Sequence, residues 1–112
     1  KHPLVDKVYH PAIETSENHH IWKRDFTGST GLFSFSLKKF YPQPKIKKMF
    51  SKISIFKLGY SWGGYDSLIT FPPLSMRKYK NLFKGNLIRV YCGLEDSSDQ
   101  IKDIINSLQA LK

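Results

Sequence analysis

Two apolar periods alternate along the chain, and the elements can be drawn where one gives way to the other. Leu4 to Tyr9 (LVDKVY) alternates up to His10-Pro11 and predicts a short strand. Within 15–24, Thr15, Ser16 and Asn18 stand ahead of His19-His20-Ile21-Trp22-Lys23-Arg24, which suits a short helix with a polar N-terminal cap. After the turn residues Thr27-Gly28-Ser29-Thr30-Gly31, Phe33, Phe35 and Leu37 share one face of a strand over 32–37. Tyr41-Pro42-Gln43-Pro44 breaks the chain. Ile46, Met49 and Phe50 then fall at helical spacing over 44–51, with the lysines outward. Further strands are expected over 53–58, 67–71 and 87–91, the second stopped by Pro72-Pro73, and a loose basic loop over 74–86.

The last helix has the clearest pattern. Ser97 and Gln100 have capping-box spacing, and Ile101, Ile104, Ile105, Leu108 and Leu111 make one apolar stripe. Glu95-Asp96 just before it reads most simply as negative charge favoured by the helix dipole. Helices whose apolar faces need a sheet to cover imply an α+β layer: an antiparallel or mixed sheet of about four strands with helices packed on one face.

Composition narrows the class. The 112 residues suffice for one domain spanning 1–112, and 40% hydrophobic with 14% aromatic content marks a folded chain. No apolar run is long enough to span a membrane. Cys92 is the only cysteine, so no internal disulfide can form, which fits a reducing cytoplasm. The chain opens Lys1-His2-Pro3 without methionine and runs directly into a strand, so a piece of something longer is expected.

The net charge of +9 is concentrated between Lys38 and Lys57. Such an excess can serve a nucleic-acid partner, but lysines outnumber arginines fifteen to three, and arginine is the better phosphate fork. A basic nucleic-acid-binding domain is therefore a secondary reading, and a solvated helix face the simpler one.

Candidate chemistry is sparse. His19 and His20 are adjacent and point apart on a helix, and nothing has metal-ligand spacing. No Ser-His-Asp arrangement or glycine-rich phosphate loop occurs. Arg89 lies mid-strand with Leu87 and Tyr91 on its face, either in a surface ion pair or facing an anion that its planar fork can grip. The turn Tyr60-Ser61-Trp62-Gly63-Gly64 combines a hydroxyl, a flat apolar wall and a permissive backbone. It reads equally as a tight hairpin with a buried tryptophan or as a binding loop.

Three stretches together are more specific than any one. WKRDFTGSTGLFSFSL (Trp22 to Leu37), LGYSWGGYDSLI (Leu58 to Ile69) and LIRVYCGLED (Leu87 to Asp96) occur in the order and spacing seen at the end of cystathionine β-lyases. The chain thus resembles the C-terminal small domain of these pyridoxal-phosphate-dependent enzymes of cysteine and methionine metabolism, from Val5 to the final helix.

That resemblance implies a small domain of the aspartate-aminotransferase-like fold. It implies that Arg89 and Ser61 hold the substrate α-carboxylate, while Trp62 and Tyr60 line the substrate entrance. The γ-synthases and γ-lyases, the nearest alternative, usually carry an aliphatic residue in place of Trp62. The parent reaction would convert cystathionine to homocysteine, pyruvate and ammonia in methionine biosynthesis, in the cytoplasm and commonly in a homotetramer. Its Schiff-base lysine belongs to a Ser-x-Thr-Lys setting that this chain lacks; only Lys52 even follows a serine. The resemblance therefore places that lysine, and the contacts to pyridoxal 5'-phosphate, in an upstream large domain that would be this chain's partner. Alone, the chain is not expected to catalyse.

Overall fold

The computed structural model describes residues 2–76, 78 and 82–112. Among them, five strands form one mixed sheet: β1 (Val5–Tyr9), β2 (Leu32–Leu37), β3 (Lys57–Leu58), β4 (Leu68–Thr70) and β5 (Leu87–Tyr91), in the order β1-β2-β5-β4-β3. Neighbours are antiparallel except β3 and β4. Helices α1 (His19–Asp25), α2 (Gln43–Phe50) and α3 (Ser97–Gln109) complete the α+β layer, with a 3-10 turn at Leu74–Met76. Positions 77 and 79–81 of the expected basic loop lie outside the described residues.

Register decides what each face carries. Phe33 and Ile69 both stand opposite Val90, and Phe35 opposite Ile88, so these side chains share one face. Phe35, Leu37, Ile69, Ile88 and Val90 are buried there against Ile46, Met49 and Phe50 of α2 and against Leu108 and Leu111. Each such side chain contributes about 1.5–3 kcal/mol on burial. No residue of α1 is buried, so α2 and α3 are the covering layer.

The opposite, more open face is only partly covered: Leu87, Ser36 and Thr70 are buried on it, whereas Tyr9, Ser34, Arg89 and Tyr91 are half-buried. Tyr9, Ser34, Arg89 and Thr70 line up across β1, β2, β5 and β4 in register. Near β1, Phe83 meets Tyr9 edge-on with ring centroids 5.4 Å apart, and Lys84 pairs with Asp6 at 3.3 Å.

The expected α+β layer is what the fold shows, its sheet having five strands with β1 outside β2 and β3 outside β4. Two expectations need correction. The strand expected over 53–58 shrinks to Lys57–Leu58, because the N–H groups ahead of it bond elsewhere. Ser54 and Ile55 N–H each donate to the Asp103 carboxylate at 2.8 Å, and Phe56 N–H at 3.0 Å. The apolar stripe of α3 is also rotated. Leu108 and Leu111 are buried, but Ile101 is 59% and Ile105 41% exposed, while Gln100, Asp103 and Ser107 go inward. Asp103 and Gln100 satisfy loops, a demand that hydrophobic period does not register, while the Ser107 hydroxyl donates back to Ile104 O of the same helix. The cap shifts with it: Asp96, not Ser97, is the N-cap and accepts from Ser98 N–H at 2.8 Å, while Gln100 turns toward Ser67.

Candidate functional site

The open face takes its character from β5 and the loop that leaves β3. Alternation along β5 sends Ile88 and Val90 to the core, leaving Arg89 and Tyr91 half-buried on the other side. Loop 59–67 folds back over that side and is fastened to β5 and its continuation at successive points. Arg89 Nη1 donates to Tyr60 O at 2.7 Å, and Tyr91 Oη donates to Gly64 O at 2.9 Å. Leu94 N–H donates to Tyr65 O at 2.9 Å. Gly93 lies so close to Tyr65 O and the Asp66–Ser67 peptide that a Cβ there would collide with backbone.

The last fastening is a polar cluster. Ser67 is fully buried; its N–H donates to Glu95 Oε1 at 2.9 Å and its hydroxyl to Glu95 Oε2 at 2.5 Å. The same hydroxyl accepts from Gly93 N–H at 2.8 Å and from Gln100 Nε2 at 3.0 Å. The Ser67 donors hold the Glu95 carboxyl down at about 2. Lys57 and Asp66 close the outer edge with an ion pair at 2.9 Å.

Held this way at both ends, the loop presents its apex to solvent. Gly63 supplies the positive φ of 83° that the apex requires. Ser61 is exposed, Tyr60 and Trp62 are 62% and 65% exposed, and Leu58 and Tyr65 extend the apolar ridge. Trp62 is thus not the buried plug of a tight hairpin. Among the described residues no carboxylate lies within ion-pair distance of Arg89. Its guanidinium is steadied by the backbone carbonyl of Tyr60, next to Ser61 in the chain, and makes no other hydrogen bond among the described residues. A carboxylate suits that donor set.

A family model described as Cys/Met metabolism PLP-dependent enzyme matches residues 1–109. The chain belongs to that family. It is 45% identical to the cystathionine beta-lyase of Escherichia coli over 109 residues, covering 93% of this chain and 28% of that protein. It is 37% identical to an L-alanine/L-glutamate racemase of Wolbachia pipientis, covering 99% and 28%, and 33% identical to the cystathionine gamma-lyase of Sus scrofa, covering 97% and 28%. The chain therefore spans little more than a quarter of the length of these relatives. A solved structure of an O-acetylhomoserine sulfhydrylase from Wolinella succinogenes superimposes with a TM-score of 0.79 at 21% identity, over 96% of this chain and 29% of that one, which shows the shared fold.

The family uses pyridoxal phosphate, and several backbone groups that could face its phosphate are already engaged or missing. A phosphate favours open helix N-termini and converging N–H groups. Here the N-terminus of α3 is filled by Asp96, and α2 begins with prolines at 42 and 44 that lack the N–H. The N–H groups converging at 54–56 are taken by Asp103. What this part of a family member offers is the open arginine and the loop beside it.

Sequence reasoning named Tyr60, Ser61, Trp62 and Arg89, and the fold brings all four to one edge of the open face. It missed the fastenings at Tyr91, Gly93, Glu95 and Gln100. Tyr91 was within reach, because it shares Arg89's side of the same strand. Glu95 and Gln100 bond back across the fold to Ser67, and no local spacing announces that.

Proposed function

We propose that this chain is the C-terminal small domain of a pyridoxal-phosphate-dependent cystathionine β-lyase, and that Arg89 and Ser61 hold the α-carboxylate of the substrate. The observation that carries this reading is the guanidinium of Arg89, half-buried on the open sheet face, without a carboxylate neighbour among the described residues and next to the Ser61 loop. Family membership and the identity to cystathionine β-lyases support it.

The chain's own contribution is binding and orientation. A carboxylate gripped by the fork of Arg89, with the Ser61 hydroxyl donating to a second lone pair, fixes the rotation about the bond to Cα. The Cα–H bond is then presented in one direction for removal. Trp62 and Tyr60 give flat apolar walls that exclude water from the bound substrate once another domain closes over them. Bound pyridoxal phosphate supplies the electron sink for cleavage. It would be held by the upstream large domain, which also brings the Schiff-base lysine, so this chain alone is inactive.

The test is steady-state kinetics on the full-length protein with cystathionine, beside the isolated 112-residue chain. Arg89→Ala is expected to raise KM about 10- to 100-fold, the size of a charge-assisted hydrogen bond, and the isolated chain to release no pyruvate. Racemisation of alanine by the wild-type protein, without sulfur release, would keep the clamp but reassign the reaction. Unchanged KM in Arg89→Ala would remove Arg89 from the site.

A further inference from the structure

Arg89 and Tyr91 grip the same loop at two points that bracket its exposed apex. Arg89 reaches Tyr60 O ahead of Ser61 at 2.7 Å, and Tyr91 reaches Gly64 O beyond Trp62 and Gly63 at 2.9 Å. Between these points no residue of 61–63 has a hydrogen-bond partner among the described residues, and Gly63 holds a φ of 83°. An apex of this kind, with glycines at 63 and 64 and nothing within 4 Å of either Cβ position, has no packing of its own to fix it. Its position is set by the two ends, the far one held by Tyr91 Oη on Gly64 O and, one residue on, by Leu94 N–H on Tyr65 O. The Arg89 end is not a dedicated anchor, because that guanidinium is also the group offered to ligand. Tyr91 has no such second role.

We propose that Tyr91 is a positioning residue for the substrate-carboxylate site: its hydroxyl, by donating to Gly64 O, fixes the far end of the 60–64 loop so that Ser61 and Trp62 stay registered against Arg89. This rests on the reading of Arg89 and Ser61 as the carboxylate clamp. The Tyr91 ring is half-buried on β5 directly opposite Leu32 and Leu68, so removing the hydroxyl alone leaves the sheet register in place. Tyr91→Phe therefore cuts one tether and nothing else. With Ser61 free to drift, ground-state and transition-state binding of the carboxylate weaken together, which raises KM and spares kcat.

The experiment compares wild-type and Tyr91→Phe full-length protein in a Trp22→Phe background, which removes the other tryptophan of this chain. Any upstream tryptophans are replaced as well, so that Trp62 is the sole reporter. Two readouts are taken: KM and kcat for cystathionine, and the fluorescence anisotropy of Trp62 in the cofactor-free protein. The expected result is lower Trp62 anisotropy, KM raised about two- to fivefold as befits one solvent-accessible neutral hydrogen bond, kcat within about twofold, and an unshifted melting curve. Unchanged anisotropy with unchanged KM overturns the proposal, and so does a fall in kcat at constant KM. If the wild-type protein turns over no cystathionine while Tyr91→Phe still loosens Trp62, the lyase reading fails and the tether stands.

Discussion

The two faces of the sheet are built on opposite terms. On the helix-covered face every polar demand is met from within. Asp103 is buried and accepts three backbone N–H groups and the Ser54 hydroxyl, and among the described residues no buried side-chain N or O lacks a partner. Burial would push the Asp103 carboxyl up, but those donors outweigh it and hold it below the usual carboxylate range. On the open face a guanidinium keeps most of its fork unused, beside tryptophan and tyrosine rings turned to solvent. A closed network stabilises a fold. Unspent donors and exposed aromatics on a loop pinned at both ends are the material of recognition.

The sharpest way to break this contrast is to open the closed face. Asp103→Ala strands the N–H groups of Ser54, Ile55 and Phe56 and is expected to cost about 3 kcal/mol of unfolding free energy. Arg89→Ala, on the open face, should alter stability by under about 1 kcal/mol while it raises KM. Chemical denaturation of both variants checks the pair; equal losses would erase the distinction between the faces.

A smaller effect joins the two sides. The Glu95 carboxyl is held at about 2, below the ordinary glutamate value, by the donors of Ser67. Its contribution to stability is present above that ordinary value and is lost as pH falls toward about 2. Denaturation midpoints measured across this acid window should decline in wild type, and Glu95→Gln should flatten its share of the decline. An identical decline in the variant would assign the acid sensitivity to other carboxylates.

The smallest effect is expected from α3. Ile101→Gln should move stability by less than about 0.5 kcal/mol, because that side chain faces solvent. A melting curve lowered by several degrees would mean that the helix is rotated back toward the apolar stripe its sequence displays.

That helix also shows where the sequence is legible. β2 and β5 take the spans expected of them and bury Phe35, Leu37, Ile88 and Val90 on one face, and α2 buries Ile46, Met49 and Phe50 as its period requires. In each of these, one apolar face meets one apolar layer, so pattern alone determines orientation. In α3 and over 53–56 the orientation is set by hydrogen bonds to residues far along the chain, Asp103 to Ser54 and Gln100 to Ser67, and apolar period cannot report them. The site divides the same way. Arg89, Ser61, Trp62 and Tyr60 are proposed from residue type and family likeness, whereas the hydrogen bonds of Arg89 to Tyr60 O and of Tyr91 to Gly64 O are properties of the folded chain.

The most direct test of the central claim removes charge from both partners of the clamp. The full-length protein and its Arg89→Ala variant would each be titrated with cystathionine and with its α-carboxamide analogue, which cannot form the charge-assisted fork. The account predicts that the wild-type protein favours the carboxylate about 10- to 100-fold and that Arg89→Ala binds both compounds alike. Equal discrimination by the two proteins would contradict it and place the carboxylate elsewhere.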